Sequence, residues 1–188
     1  MKNNIFIISG PSGAGEDSII EGLRKTLPIE RLITTTTRKM RPSDKQGKPY
    51  FFISKEKFLQ GVKNKNFLEY AKEYNNNYYG ITHKEINRIK NSNKIGILKI
   101  EYKGVMAVKK IMPKIKSILI NAPLKIMAKR IKRRDNTTDE YVQERMEYTK
   151  EWLKYRDIYD YEVINEENKL NKAIKDVAQI IKTNIDKK

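Results

Sequence analysis

Ile5-Phe6-Ile7-Ile8-Ser9-Gly10-Pro11-Ser12-Gly13-Ala14-Gly15-Glu16-Asp17-Ser18 is the stretch whose reading decides the fold. Its first four residues are wholly apolar and are closed by Ser9-Gly10-Pro11, the pattern of a strand buried on both faces, which implies a parallel sheet. From Glu16 to Thr26, Ile19, Ile20, Leu23 and the following Leu27 recur at helical spacing, so a strand, a glycine-rich turn and a helix come in that order. Glycines at such a turn let backbone N–H groups point at a polyphosphate, and the helix adds its positive end. Ser12 and Ser18 add hydroxyls, which a bare strand-to-helix turn does not need.

One position breaks the pattern. Where a phosphate loop demands Lys, this chain has Glu16. A carboxylate about 4 Å from a phosphate costs on the order of 4 kcal/mol per unit charge at an effective dielectric near 20, where Lys gains a similar amount. Asp17 adds a second negative charge, which either repels phosphate or helps hold a magnesium ion.

The strand-then-helix alternation continues outward. Residues 95–100 read as a strand, 105–111 as a helix, 115–120 as a strand and 124–134 as a helix. Repeated units of this kind predict a doubly wound α/β sheet. Thr137-Thr138-Asp139-Glu140 fits a capping box that starts a helix running to about Arg156, with 134–136 as a short connection. A last strand at 161–164 precedes a helix carrying Leu170, Ile174, Val177, Ile181 and Ile185 on one stripe. Between Thr34 and His83 the grammar changes to short aromatic runs, Tyr50-Phe51-Phe52, Phe67 to Tyr74 and Tyr78-Tyr79, separated by turn-formers such as Asn75-Asn76-Asn77. That predicts an inserted, mostly antiparallel lobe. The expected organisation is a core of residues 1–33 and 84–188, with a helical lid at about 125–150, and an inserted lobe of residues 34–83.

Composition narrows the chemistry. The 188 residues include 40 Lys or Arg against 23 Asp or Glu, a formal net charge of +17, which favours polyanionic ligands without choosing among them. Much of the surplus is scattered on helices, as in 129–134, and neither an RNA-binding aromatic signature nor a helix-turn-helix pattern accompanies it, so nucleic acid is not the expected partner. With no Cys, disulfides, thiolate metal sites and cysteine nucleophiles are excluded, and the single His83, read as a surface residue at a helix start, builds no multi-histidine site. No apolar run approaches the roughly 20 residues of a membrane helix, and no cleavable signal precedes Ile5, so a cytoplasmic enzyme is the expectation.

Taken with Thr34-Thr35-Thr36-Thr37-Arg38, Arg41-Pro42, Gly47-Lys48-Pro49-Tyr50-Phe51-Phe52, Phe67-Leu68-Glu69-Tyr70-Ala71 and Tyr78-Tyr79-Gly80, the chain resembles guanylate kinases from about Asn3 to Lys182. The resemblance implies a phosphate-loop core, a lobe that binds GMP, an arginine-bearing lid, and transfer of the γ-phosphoryl group of MgATP to GMP, with Mg2+ as cofactor. It makes Gly10, Ser12, Gly13, Ala14, Gly15, Glu16, Asp17 and Ser18, with Asn165, the ATP-binding residues.

It also assigns Thr34, Arg38, Arg41, Tyr50, Glu69, Tyr79 and Glu101 to GMP, and those residues make physical sense there. Arginine forks and hydroxyls suit a doubly charged phosphate, and a carboxylate complements the two donors on the guanine edge. Arg130, Arg134 and Arg145 match the lid arginines, which neutralise charge on the transferred group. The family departures are Ile81 for a Ser or Thr beside the base, with Thr82 as the candidate substitute, Arg133 for a small residue, and Lys99 for the first carboxylate of Leu-Asp-Ile-Asp. Lys99, at a parallel strand's carboxyl end, should face the loop and is counted with the catalytic residues. The alternatives kept beside an active kinase are a catalytically degenerate relative that binds nucleotide or a partner, and a basic nucleic-acid-binding protein.

Overall fold

The computed structural model describes residues 4–42, 44–72 and 76–185. Asn3, Tyr74 and Asn75, which figure in the sequence reading, lie outside that set. Five strands form a wholly parallel sheet: β1 (Ile5–Ser9), β2 (Ile29–Arg31), β8 (Ile95–Lys99), β9 (Lys116–Asn121) and β10 (Tyr161–Ile164), in the order β10-β9-β1-β8-β2. Every residue of β1 is buried, because helices cover both faces of the sheet.

On one face α1 (Glu16–Leu23), α5 (Leu124–Asp135) and α7 (Leu170–Asn184) bury Ile19, Leu23, Met127, Val177 and Ile181 against Phe6, Ile8 and Ile118. On the other, α3 (His83–Lys90) and α4 (Tyr102–Ile111) bury Ile86, Ile89, Val105 and Val108 against Ile5, Ile7 and Leu98. Even residues of β1 thus face one core and odd residues the other, as the two-residue period requires. Burying one such Ile or Leu side chain contributes about 1.5–3 kcal/mol.

The second sheet is built from β3 (Thr34–Thr36), β4 (Lys45–Gln46), β5 (Pro49–Phe52), β6 (Phe67–Lys72) and β7 (Tyr78–Thr82), with α2 (Lys55–Lys63) packed beside it. Its order is β4-β5-β3-β7-β6. The longest ladder, β6 with β7, is antiparallel, as is β3 with β7, whereas β5 runs parallel to both β3 and β4. The sheet is therefore mixed, its antiparallel half being the part expected from sequence.

Several boundaries differ from the sequence reading. The cap of α6 (Asp139–Leu153) is Thr138, whose hydroxyl accepts the Tyr141 N–H at 3.4 Å, so the box of Thr137 with Glu140 does not form. Helix α5 continues through Arg134 to Asp135, and the reversal falls on Asn136 at φ 43°, a conformation Asn tolerates better than most residues. Helix α6 stops at Leu153, followed by a 3-10 turn over 156–158, and Ile185 lies just past the end of α7. Helix α4 starts earlier than expected, at Tyr102.

Candidate active site

The loop of residues 10–15 leaves β1 at the carboxyl edge of the parallel sheet. Gly13 and Gly15 adopt φ 85° and 98°, and a Cβ on Gly13 would stand 2.7 Å from the Met127 carbonyl, so only glycine fits. Arg130 on α5 braces the loop, its guanidinium donating to the carbonyls of Gly13 and Ala14 and of Asn165 and Glu166 at 3.1–3.3 Å. Asn165 is buried and donates through Nδ2 to the Ala14 carbonyl at 2.7 Å. Its Oδ1, also buried, has no hydrogen-bond partner.

Two cavities meet at this loop. A smaller one of about 350 Å³ brings Gly13, Gly15, Glu16, Asp17 and Ser18 together with Arg130, Arg134 and Asn165. A larger one of about 560 Å³ runs from Gly10, Ser12, Gly13, Glu16 and Asp17 past Lys99 and Glu101 into the second sheet, where Thr34, Arg41, Tyr50, Glu69 and Tyr79 line it. Arg134 lines both, and Arg145 on α6 lines the larger.

Of the residues expected at the site, Arg38 and Ala14 line neither cavity. Arg38 is paired with Asp44 at 2.9 Å and lies over the rings of Tyr50 and Phe52, 5.5 and 5.1 Å from their centroids. Thr82, the candidate substitute, lines neither cavity, and its hydroxyl caps α3 by accepting the Glu85 N–H at 3.2 Å. Ile81 is fully buried in the core with Leu98 and Ile86. His83 is exposed as the first residue of α3.

Glu69 is 7% exposed, its Oε2 has no partner, and burial raises its pKa to about 7. A desolvated carboxyl group facing a cavity is poised to take a ligand that brings donors. Glu101 accepts the Tyr148 hydroxyl of α6 at 2.6 Å. Nearby, Trp152 donates to the Tyr159 hydroxyl at 3.1 Å, Tyr159 donates to Ser9 Oγ at 2.9 Å, and Ser9 donates to the Ile100 carbonyl at 2.7 Å. With Trp152 as the indole donor and the Ile100 carbonyl as the final acceptor, each hydroxyl in this relay gives one bond and takes one, and burial lifts the Tyr159 phenol to about 12. The relay ties α6 to the ends of β1 and β8, from which the loop and Lys99 emerge.

The loop carboxylates face two cations. Lys99 Nζ stands 2.6 Å from Asp17 Oδ2 and 3.9 Å from Glu16 Oε1, and Arg31 Nη1 stands 2.9 Å from Asp17 Oδ1. Burial holds the Glu16 carboxyl above its usual range despite Lys99. For Asp17 the burial penalty is outweighed by Lys99 and Arg31, and its pKa falls; for Lys99 the same penalty is outweighed by Glu16 and Asp17, and its pKa rises. The sequence reading missed Arg31, Asp44 and Tyr148. Asp44, three residues after Arg41, carried a signal in its spacing; the other two carried none without the tertiary fold.

A glycine loop between β1 and α1 of a parallel sheet, with arginines from a helical pair and a second sheet walling one shared cleft, defines a phosphate-loop α/β protein of the nucleotide-handling class. The family model described as guanylate kinase matches residues 2–184. Guanylate kinase of Buchnera aphidicola subsp. Schizaphis graminum is 40% identical over 94% of this chain and 86% of its own length, and that of Mycoplasmoides gallisepticum is 38% identical over 94% and 91%. The crystal structure of guanylate kinase from Anaplasma phagocytophilum superposes with a TM-score of 0.75 at 24% identity, covering 97% of this chain and 86% of that one, which speaks for the fold. This chain belongs to the guanylate kinase family.

Proposed function

We propose that this chain transfers the γ-phosphoryl group of ATP to GMP, giving ADP and GDP. The observation that carries the reading is the continuous cleft that joins the buried carboxyl group of Glu69, whose Oε2 has no partner, to the phosphate loop through Thr34, Arg41 and Tyr50. Guanine N1–H and the exocyclic amine supply the two donors that Glu69 lacks, while adenine presents an acceptor at N1. Thr34, Arg41 and Tyr50 then receive the GMP phosphate, with Tyr79 beside the base and Arg38 released from Asp44 to complete the clamp. The second sheet is in this reading the acceptor lobe, and the smaller cavity, framed by Arg130 and Asn165, takes the donor nucleotide.

In the transfer an oxygen of the GMP phosphate forms a bond to Pγ as the bond from Pγ to the bridging oxygen breaks, and that electron pair leaves on the β-phosphate of ADP. The protein's part is positioning and charge. Arg134, 3.4 Å from Ser12 Oγ, and Arg145 approach the equatorial oxygens from the lid helices. Asp17 and Ser18, which line the smaller cavity, are the residues that would hold a Mg2+ entering with the ATP phosphates. Bound in that way, the ion neutralises polyphosphate charge. Among the described residues no helix is long and apolar enough to cross a membrane, and a cytoplasmic location is part of this proposal.

The degenerate-binder alternative is not favoured, since the relatives matched over nearly the whole chain are guanylate kinases. A coupled assay of ADP formation with GMP, AMP, CMP and UMP tests the proposal. Turnover with GMP well above the others is expected; turnover with none, or equal turnover with AMP, would overturn it.

A further inference from the structure

The charges around the loop are exchanged between its two walls. Glu16 opens α1, where loop N–H groups and the helix dipole favour an anion, and is 9% exposed; Asp17 follows it. Both residues line both cavities, so two carboxylates stand at the junction where donor and acceptor phosphates must meet. Across from them Lys99 ends β8, which runs parallel to β1 with Lys99 opposite Ile8, and its side chain, 21% exposed, lines the larger cavity. Arg31 ends β2 on the far side of β8 and holds the second oxygen of Asp17. Its guanidinium is anchored in turn over the Tyr50 ring, 5.9 Å from the centroid.

We propose that Lys99 is the phosphate-contacting cation of the transfer site, acting in the place the loop leaves to Glu16, and that Arg31 is a positioning residue that retains Asp17 when phosphates draw the Lys99 ammonium away. The inference rests on the kinase reading above. Its physical basis is charge and reach. A lysine side chain is a flexible stem ending in a compact charge, so an ammonium now at 2.6 Å from Asp17 exchanges that partner for a phosphate oxygen by rotation, while the forked, ring-anchored Arg31 stays with the carboxylate. Without Lys99, Arg31 would be the one ion-pair partner left within 4 Å of the two loop carboxylates among the described residues, at the point where phosphates need positive charge.

The rival role for Lys99 is a counter-ion that only keeps Glu16 and Asp17 folded. Three variants separate the two: Lys99→Met, Lys99→Met with Glu16→Gln, and Lys99→Met with Glu16→Lys, each checked for fold by circular dichroism. Lys99→Met should lower kcat by about 100-fold or more, with the KM for GMP changed by less than about threefold. Adding Glu16→Gln, which removes a charge needing a counter-ion and covers the case in which the single variant fails to fold, should leave kcat low. Adding Glu16→Lys, which returns the cation to the loop, should bring kcat to within about tenfold of wild type. Full activity in Lys99→Met, recovery with Glu16→Gln, or no recovery with Glu16→Lys would each overturn the proposal.

Calorimetry with a nonhydrolysable ATP analogue gives a readout that does not depend on turnover. Lys99→Met should weaken its binding by about tenfold or more while GMP binding holds, and unchanged analogue binding counts against the proposal. If wild type makes no GDP yet this binding difference appears, the kinase reading fails and the Lys99 contact stands.

Discussion

Tyr148 on α6 donates its hydroxyl hydrogen to Glu101 at 2.6 Å, joining that helix to the N-cap residue of α4, which lines the larger cavity. The relationship couples two elements that the reaction uses. Arg145 lies one turn before Tyr148 on the same helix, its guanidinium 5.9 Å from that ring. One oxygen of Glu101 is thereby held by α6, and in the proposed function the other is the one offered to the base.

Tyr148→Phe should loosen that link. A hydrogen bond to a charged group contributes about 1.5–3 kcal/mol, so unfolding in urea should show a loss near the lower end for this part-buried pair. The KM for GMP should rise severalfold, since Glu101 loses its orientation. A variant with wild-type stability and KM would show the bond to be idle.

Glu69 makes stability depend on pH in an unusual direction for a carboxyl group. Its pKa rises from 4.5 in the unfolded chain to about 7 in the fold, so the folded state binds more protons between those values. The stability contributed is complete below about pH 4.5 and is lost as pH rises through about 7, amounting to roughly 3 kcal/mol across the window. Urea midpoints of wild type should therefore fall relative to Glu69→Gln from pH 5 to 8. GMP affinity should move the other way, strengthening as pH rises through about 7, because the ionised carboxylate is the acceptor guanine needs. Parallel pH curves for the two proteins would exclude Glu69 as the titrating group.

Base choice should follow the same side chain. Glu69→Gln leaves an amide where guanine presents donors, and the preference for GMP over AMP should narrow by roughly 1–3 kcal/mol, read as the ratio of kcat/KM values. If the full preference persists in the variant, the base is read elsewhere in the cleft.

Arg38 stands outside the cleft on Asp44, so in the proposed function GMP would have to recruit it. Arg38→Ala should weaken GMP binding at least tenfold by titration calorimetry. Asp44→Asn should act differently, removing the competing charge while keeping an acceptor for the Arg41 N–H, which Asp44 holds at 2.7 Å. Its expected effect is GMP binding as tight as wild type or tighter. Loss in both variants would mean that Asp44 orients Arg38 instead of competing for it.

The loop backbone offers a stability test. Gly15 at φ 98° sits against Asn165 Nδ2, and Gly15→Ala adds a Cβ into that contact as well as strain in the left-handed region. A loss of about 1–3 kcal/mol in urea is expected, with weaker ATP binding. Unchanged thermal unfolding would show that the loop relaxes freely.

The strand, the loop and the flanking helices were legible because their signals are local. Ile5 to Ile8 read as doubly buried from four consecutive apolar side chains, and Leu170 to Ile181 as a helix from one stripe, since period and composition act within a few residues. The order of motifs from Thr34 to Gly80 likewise placed Glu69, Arg41 and Tyr50 at one site. What the sequence could not decide was which of several candidate partners a side chain meets. Thr137 and Thr138 stand side by side as cap candidates, and in the fold it is Thr138 whose hydroxyl takes the Tyr141 N–H. Thr82 was free in the sequence to face a base and is spent on an N–H of α3. Lys99 was expected to face the loop and does, 3.9 Å from Glu16; that it also meets Asp17 at 2.6 Å, with Arg31 on the other oxygen, follows from the parallel pairing of β8 with β1 and β2, which sets the ends of β8 and β2 beside the start of α1. The raised pKa of Glu69 belongs to the fold in the same way. Desolvation depends on everything packed around the carboxyl group, and no local pattern in the chain records it.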